Sequence, residues 1–162
     1  MARRSRAREV ALQLLYEVDR NPAALEERDR EFVESRLRGA ALRQFAFDLV
    51  AGVRTKREQI DKLIQQVAEH WSLGRMTPID RSILRLATYE ILFCLDTPPK
   101  VAIDEAIELA KRYGTADSPR FVNGILDRIV TNQPRSAGTD ANAAPAESDL
   151  AEPVDTLSSA LS

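Results

Sequence analysis

The chain has 162 residues, of which 44% are apolar and 30% are charged, the composition of an ordinary soluble domain with one hydrophobic core. No segment approaches the roughly 20 continuous apolar residues of a membrane-spanning helix. The basic start lacks the apolar run of a secretory signal, because Arg8 and Glu9 follow at once. The one cysteine, Cys94, cannot form an internal disulfide, and we therefore expect a cytoplasmic protein.

The net charge of −2 is unevenly distributed along the chain. Residues 134–162 contain five acidic residues and one arginine and so carry −4, which leaves +2 on residues 1–133. This C-terminal segment has no aromatic residue and no sustained apolar period, so we predict a disordered acidic tail after a folded domain at 1–133. Four positive charges of that domain lie together at its start: Arg3, Arg4, Arg6 and Arg8.

The apolar pattern of residues 1–133 predicts helices and no strands. A first helix runs from about Arg4 to Arg20, a second and highly charged one lies within Leu25–Arg38, and a third spans roughly Ala40–Arg54. The apolar residues of the first helix fall on one side: Ala7, Val10, Ala11, Leu14, Leu15 and Val18.

Helix-capping patterns mark the next boundaries. Thr55 followed by Glu58 has the spacing of a capping box and predicts the start of a fourth helix, which continues to about Trp71. The segment Thr77–Asp80 predicts another start, with a threonine cap, a proline in the first position and an acid in the first turn.

The helix that begins at Pro78 has a broad apolar arc to about Leu95 and should be the central one. Two prolines at 98 and 99 end it. A helix over Val101–Tyr113 follows, with Gly114 placed to end it in the left-handed conformation. Ser118 opens the last helix, which reaches about Val130. About seven helices with short connections predict an all-α fold of packed bundles.

The residues available for catalysis are few. His70 is the only histidine and Cys94 the only cysteine, so neither a metal cluster nor a nucleophile–histidine pair is indicated. The six glycines are scattered singly and form no phosphate-binding loop. We expect His70 to be a surface or capping residue and Cys94 a small buried apolar residue. The sequence therefore predicts a protein that is not an enzyme and needs no metal or cofactor.

The N-terminal arginines are the strongest local indication of a polyanionic partner. Helix N-termini favour acids, so four cations there suggest phosphate binding, although a solvated helix start explains them about equally well. Tyr16 projects on the polar side of the same helix. A tyrosine there would stack on a base or anchor a partner protein, unless another part of the fold covers it.

Glu90 falls inside the apolar arc of the central helix. A carboxylate in that position must be paired or hydrogen-bonded. We expect a structural partner within the fold, with Arg54 or Lys56 as candidates, rather than a catalytic role.

Several blocks of the sequence resemble, in the same order, the NusB family. The blocks are Arg4–Tyr16, Phe47–Val53, Asp80–Ile91, Pro99–Gly114 and Asp117–Asp127, and the last two together are the most specific. They cover essentially residues 1–133 and leave out the acidic tail.

The resemblance implies an all-helical protein built from two packed helical halves. NusB proteins pair with NusE, a small-subunit ribosomal protein, and the pair binds the boxA element of nascent RNA. With NusA and NusG the complex keeps RNA polymerase elongating, particularly on ribosomal RNA operons. The family includes monomers and homodimers, so both states stay open here.

The resemblance also implies roles for single residues. It places RNA contacts at the arginine-rich start (Arg3, Arg4, Arg6 and Arg8), at Tyr16, and at Asp117 and Phe121. Tyr16 matches a tyrosine on a surface that serves both RNA and partner, and Asp80 matches an acidic position facing NusE. The loop at Gly74–Met76 is basic where some relatives are acidic, so its contacts are not carried over.

Two other functions were weighed from the residues. The same helical domain occurs at the N-terminus of a ribosomal RNA cytosine methyltransferase, but that enzyme would need several hundred further residues where this sequence has a polar tail. A helical protein–protein adaptor without intrinsic RNA affinity is the alternative, since the N-terminal arginines are the main residue-level indication of RNA.

Overall fold

The computed structural model describes the backbone of residues 2–20, 26–68 and 71–132, and the side chains of residues 4–17, 28–68 and 71–132. The acidic tail predicted at 134–162, His70 and the side chains of Arg3 and Val18 lie outside these ranges.

Seven α-helices and one short 3-10 turn make up the regular structure of the described residues. They are α1 (Ala2–Arg20), α2 (Glu26–Arg36), α3 (Ala40–Thr55), α4 (Arg57–Val67), the 3-10 turn (Leu73–Arg75), α5 (Pro78–Phe93), α6 (Pro99–Tyr113) and α7 (Ser118–Asn132). The prediction of an all-α fold with about seven helices is confirmed.

The helices form two packed groups that α5 joins. In the first group α1 packs along α3, and α2 contacts both. In the second, α6 and α7 pack on each other and on α5, and α4 contacts α5 and α7. Because α5 also contacts α1 and α3, it lies at the centre, and ten of its sixteen residues are buried. The predicted central helix between two bundles is confirmed.

The predicted apolar face of α1 is the buried one within residues 4–17. The residues of this face are each at most 7% exposed: Ala7, Val10, Ala11, Leu14 and Leu15. Leu12, which lies beside the predicted face, is buried as well. The period of apolar residues therefore placed the inner surface of α1 correctly and underestimated its width.

The predicted start of α5 is confirmed. Thr77 is the N-cap in an extended conformation, and its side chain accepts a hydrogen bond from the backbone N–H of Asp80 at 3.2 Å. Pro78 occupies the first turn, where its missing N–H costs nothing. This cap fixes the direction in which α5 enters the centre of the fold.

The capping box predicted at Thr55 is wrong. Thr55 is the last residue of α3, and only Lys56 separates it from α4. Lys56 is the N-cap of α4, and no side chain bonds to the free amides there. The backbone N–H of Ile60 instead bonds to the carbonyl of Lys56, so the chain turns almost directly from one helix into the next.

Gly114 ends α6, but its predicted left-handed conformation is wrong, because its φ is −94° and its ψ is −165°. The space around it explains the glycine. A Cβ at this position would overlap the side chain of Ser118 and lie 2.9 Å from the carbonyl oxygen of Ala110. The side chain of Ser118 accepts a hydrogen bond from the backbone N–H of Thr115, so the α6–α7 turn is tightly closed.

A second glycine allows α3 and α5 to approach each other. A Cβ at Gly52 would overlap the ring of Tyr89, whose centroid lies 5.4 Å from that of Phe93. The first group of helices is therefore joined to α5 by the close contact of Gly52 with Tyr89 as well as by apolar packing.

Candidate nucleic-acid interface

Two of the predicted RNA-binding arginines are exposed at the start of α1. The Arg4 side chain is 44% exposed, its guanidinium lies 4.5 Å from the centroid of the Phe45 ring, and its Nη1 lies 3.6 Å from Oδ2 of Asp96. The Arg6 side chain is 46% exposed and its Nη1 lies 2.7 Å from Oε1 of Glu9. Both guanidinium groups can therefore reach a phosphate from the surface.

Arg8 does not share this environment, and the prediction that it contacts RNA directly is corrected. Its side chain is 2% exposed. Its Nε donates to both carboxylate oxygens of Glu90, at 2.8 and 2.9 Å, and its Nη1 lies 3.7 Å from Oε1 of Glu105. A guanidinium held in this way faces the interior, and no phosphate can reach it in this conformation.

The same contact identifies the partner of Glu90. The prediction that a buried carboxylate here is paired within the fold is confirmed, but the candidates Arg54 and Lys56 are wrong. Arg54 donates to Asp29 at 2.8 Å, and the ammonium of Lys56 lies 5.1 Å from the centroid of the Phe93 ring. The partner comes instead from α1, 82 residues away in sequence.

Glu9 connects α1 to the end of α6. Its carboxylate accepts hydrogen bonds from Arg6, from Arg112 at 2.5 Å and from the Tyr113 hydroxyl. Burial alone would raise the pKa of Glu9, but the hydrogen bonds from Tyr113, Arg6 and Arg112 outweigh it and lower that pKa from 4.5 to about 2. Burial and the neighbouring carboxylate raise the pKa of Tyr113 above its usual value. The carboxylate therefore stays ionised and holds two surface arginines at this end of the molecule.

Tyr16 lies in a groove between α1 and the start of α5. We call this the Tyr16 groove; its volume is about 440 Å³, and it is lined by Leu12, Gln13, Tyr16, Thr77, Pro78, Ile79 and Tyr113. Tyr16 is half-buried there. The sequence left open whether it is exposed or covered by another part of the fold, and its environment lies between the two. Oε1 of Gln13 is buried without a hydrogen-bond partner within the described residues, so the groove contains an unsatisfied acceptor.

Asp80 lies close to this groove but points inward. The residue is 7% exposed, and its Oδ1 has no hydrogen-bond partner among the described residues. The prediction that Asp80 offers its carboxylate to a partner is therefore revised, because a buried oxygen cannot be an open contact. Thr77 and Pro78, which precede it, are the exposed residues at this end of α5.

Asp117 and Phe121 lie on a different part of the surface. Asp117 is exposed in the turn before α7, and Phe121 is half-buried on the first turns of that helix. Phe121 lines a separate groove of about 280 Å³ together with Trp71 and residues of α7. The structure therefore separates the predicted RNA-binding residues: Arg4 lies beside Phe45 and Asp96, and Phe121 lines a groove on α7. Arg6 is linked through Glu9 to Tyr113, which lines the Tyr16 groove.

Within the described ranges, no group of His, Cys, Asp and Glu side chains is arranged to hold a metal ion. In the same part of the chain, no helix is both long and apolar enough to cross a membrane. Cys94 is half-buried at the end of α5 and forms no disulfide within the described residues.

A family model described as the NusB family matches residues 5–131. The chain belongs to the NusB family. The transcription antitermination protein NusB of Geobacter sulfurreducens is 50% identical over 137 residues, which cover 83% of this chain and 98% of that protein.

Solved NusB structures have the same fold. The structure of T. maritima NusB matches with a TM-score of 0.71 at 40% identity and covers 79% of this chain and 90% of the solved chain. A crystal structure of the antitermination factors NusB and NusE in complex with dsRNA contains a chain that matches with a TM-score of 0.74 at 28% identity. That match covers 82% of this chain and 98% of the solved one.

Sequence reasoning missed three residues of this NusB surface. Glu9, Arg112 and Tyr113 form one hydrogen-bonded cluster, although 103 and 104 residues separate Glu9 from the other two. The available signal was weak: Glu9 lies beside the arginines of α1, and Arg112 and Tyr113 end α6. Only the packing of both α1 and α6 on α5 brings them together.

Proposed function

We propose that this NusB-family chain is a cytoplasmic transcription antitermination factor that binds boxA-type single-stranded RNA together with NusE. In a larger complex with NusA, NusG and RNA polymerase, it would promote processive transcription of ribosomal RNA operons. The observation that supports this most directly is the exposure of Arg4 and Arg6 at the start of α1, where Arg6 is linked through Glu9 to Tyr113 of the Tyr16 groove. The likeness to a NusB chain solved with NusE and RNA supports the same assignment.

The RNA surface of this proposal begins at the first two turns of α1. Arg4 pairs with the exposed Asp96 and can exchange that carboxylate for a phosphate, because exposed ion pairs are weak in water. The Arg6 side chain is 46% exposed and can contact a phosphate while it stays bonded to Glu9. Arg112, whose side chain is 66% exposed, adds a cation near Arg6, since both bond to Glu9. The ring of Phe45 lies under Arg4 and supports its guanidinium at the surface. Arg3, Asp117 and Phe121 are proposed as further RNA contacts.

The NusE surface of this proposal is the Tyr16 groove. Its lining is largely apolar, with the rings of Tyr16 and Tyr113 and the exposed Pro78 at its edge. Asp80 would act by holding the start of α5 rather than by direct contact.

The test is a gel shift with boxA-type RNA, with the chain alone, with NusE alone and with both. We expect weak binding by the chain alone and clearly tighter binding by the pair, because two modest basic surfaces join on one RNA. A double-stranded RNA of the same length serves as a comparison. Formation of a chain–NusE complex that never shifts RNA would contradict the proposal and favour the adaptor without RNA affinity.

A further inference from the structure

One carboxylate, that of Glu9, connects the two surfaces to which the proposed function assigns RNA and NusE. On one side it accepts hydrogen bonds from two exposed cations, Arg6 on α1 and Arg112 at the end of α6. On the other side it accepts a hydrogen bond from the hydroxyl of Tyr113, whose ring lines the Tyr16 groove. We propose that Glu9 and Tyr113 are positioning residues through which a partner seated in the Tyr16 groove fixes the two arginines for phosphate binding. This inference rests on the proposed function and adds to it a path of coupling within the chain.

The cluster around Glu9 is buried at its centre and open at its arginines. The Glu9 side chain is 8% exposed, whereas that of Arg6 is 46% and that of Arg112 is 66% exposed. Tyr113 is half-buried. A buried anchor with exposed ends restrains the arginines only partly, because water competes for exposed ion pairs. The cluster therefore gains order when one of its sides is covered.

The charges of the cluster suit an anion that arrives from outside. Burial raises the pKa of Glu9, but the hydrogen bonds from Tyr113, Arg6 and Arg112 outweigh it, and the pKa falls from 4.5 to about 2. Two positive charges and one negative charge therefore meet here. The bonds to Glu9 are made by Nη1 of each arginine, and a guanidinium has five N–H donors. Both arginines keep donors for a phosphate while they stay bonded to Glu9.

Covering Tyr113 would change the cluster in a definite direction. A partner in the Tyr16 groove would pack against the Tyr113 ring and remove water from that side of the hydrogen bond to Glu9. Hydrogen bonds are stronger where water is excluded, so Glu9 would hold both arginines more firmly before RNA arrives. Ordering a long side chain is one of the costs of binding, and a cost met in advance raises the affinity for the next ligand. The coupling is reciprocal, so RNA would raise the affinity for the partner by the same factor.

The experiment measures a coupling factor, which is the dissociation constant for boxA-type RNA without NusE divided by that with saturating NusE. Contacts of both proteins with one RNA contribute to this factor in every variant, so its change on substitution reports on the path through Glu9. Tyr113→Phe keeps the ring in the groove and removes the hydroxyl that bonds to Glu9. We expect it to lower the coupling factor about fivefold. Tyr89→Phe, which removes a hydroxyl on α5 outside the cluster, should leave the factor unchanged.

A second pair of variants tests the other end of the cluster. Arg112→Gln removes a cation that is bonded to Glu9. Lys111→Gln removes the same charge from the neighbouring residue, whose ammonium pairs with Glu108 instead. We expect Arg112→Gln to lower the coupling factor and Lys111→Gln to leave it as in the native chain. This difference cannot come from net charge, because both variants lose one positive charge.

A further measurement needs no RNA. In NMR spectra of the guanidinium groups, NusE alone should slow the rotation of Arg6 and Arg112 in the native chain. It should not do so in Tyr113→Phe, because the ring is then no longer bonded to Glu9. Shared contacts on one RNA cannot produce this effect, since RNA is absent.

The outcomes separate this inference from the proposed function. If NusE and RNA both bind, but Tyr113→Phe has the coupling factor and the guanidinium rotation of the native chain, the inference is overturned and the proposed function stands. A loss of affinity for both ligands with an unchanged coupling factor would show that Glu9 only supports the fold, which also overturns the inference. Absence of RNA binding by the chain with NusE contradicts the proposed function itself, and the inference fails with it.

Discussion

Arg8 and Glu90 bring two opposite charges into the interior between α1 and α5. Both side chains are 2% exposed, so neither charge has water to solvate it if the other is removed. Breaking a buried pair in this way leaves an uncompensated charge, which costs about 3–5 kcal/mol. We therefore expect Arg8→Ala to lower the free energy of unfolding by that amount in urea denaturation.

The matched control is Arg4→Ala on the same helix. The Arg4 pair with Asp96 is exposed, so its loss should cost at most ~1 kcal/mol. A double variant, Arg8→Met with Glu90→Met, should recover most of the lost stability because it removes both charges. Equal effects of Arg8→Ala and Arg4→Ala would mean that the pair is not buried as described.

The ionisation of Glu9 makes the stability of the protein depend on pH. Its pKa is lowered from 4.5 to about 2 in the folded protein, so its hydrogen bonds stabilise the fold fully above about pH 5. That contribution is lost as the pH falls from about 5 towards 2, where the folded carboxylate takes up its proton. Solvent screening at the exposed Arg112 keeps the contribution on the order of 1–2 kcal/mol.

The measurement compares unfolding of the native chain and of Glu9→Gln between pH 7 and pH 3. The stability difference should be largest at neutral pH and should shrink as the pH falls. A difference that stays constant over this range would show that the carboxylate charge is not what stabilises the cluster.

The Arg8–Glu90 pair and the cluster around Glu9 show how much of the structure single residues of the sequence could predict. The position of Glu90 within an apolar arc was enough to predict a buried, paired carboxylate. Its partner was not predictable in the same way, because Arg8 stands in a run of arginines that suggests solvent or RNA. One signal was available: Arg8 is spaced four and seven residues from Leu12 and Leu15, both buried on α1.

At the scale of helices, the approach of α3 to α5 depends on the missing side chain of Gly52. A Cβ there would overlap the Tyr89 ring, which would have to leave its contact with Phe93. We expect Gly52→Ala to destabilise the protein by about 1–2 kcal/mol despite the better helix propensity of alanine. Thermal unfolding would measure the loss.

Gly124 on α7 is the control for this substitution. It too is a helical glycine, but the space around it is open, so Gly124→Ala should stabilise the protein by up to ~1 kcal/mol. In a Tyr89→Leu background, Gly52→Ala should lose its destabilising effect. Additive effects of the two substitutions would contradict direct contact between them.

The same helices show why sequence patterns predicted elements better than their ends. Thr77 and Pro78 gave a correct start because both act within one turn of the backbone. Thr55 and Glu58 had an equally good pattern, yet α3 continues through Thr55 and α4 begins after a single residue. A local sequence pattern does not show whether its residues already belong to the preceding helix.

At the scale of the whole molecule, the predicted RNA residues depend on the packing of the two bundles. Arg6 lies near the end of α6 only because α1 and α6 both pack on α5 and because its partner Glu9 also bonds to Arg112 and Tyr113. The family resemblance supplied the positions of these residues, but not which of them are exposed. Burial of Arg8 makes it unsuitable for a direct test of RNA binding, since its loss would also destabilise the fold.

The salt dependence of RNA binding tests this surface as a whole. Each phosphate contact to single-stranded RNA contributes about −0.7 to the slope of log affinity against log salt. Replacing Arg4 and Arg6 together by glutamine should therefore weaken binding of boxA-type RNA and flatten that slope by about 1.4. Both side chains are nearly half exposed, so the fold should be retained. Fluorescence anisotropy between low and moderate salt would measure the slopes. The control, Arg38→Gln with Lys62→Gln, removes the same charge from exposed positions elsewhere in the chain. An equal flattening in both double variants would mean that net charge alone attracts the RNA, and that the start of α1 is not its contact surface.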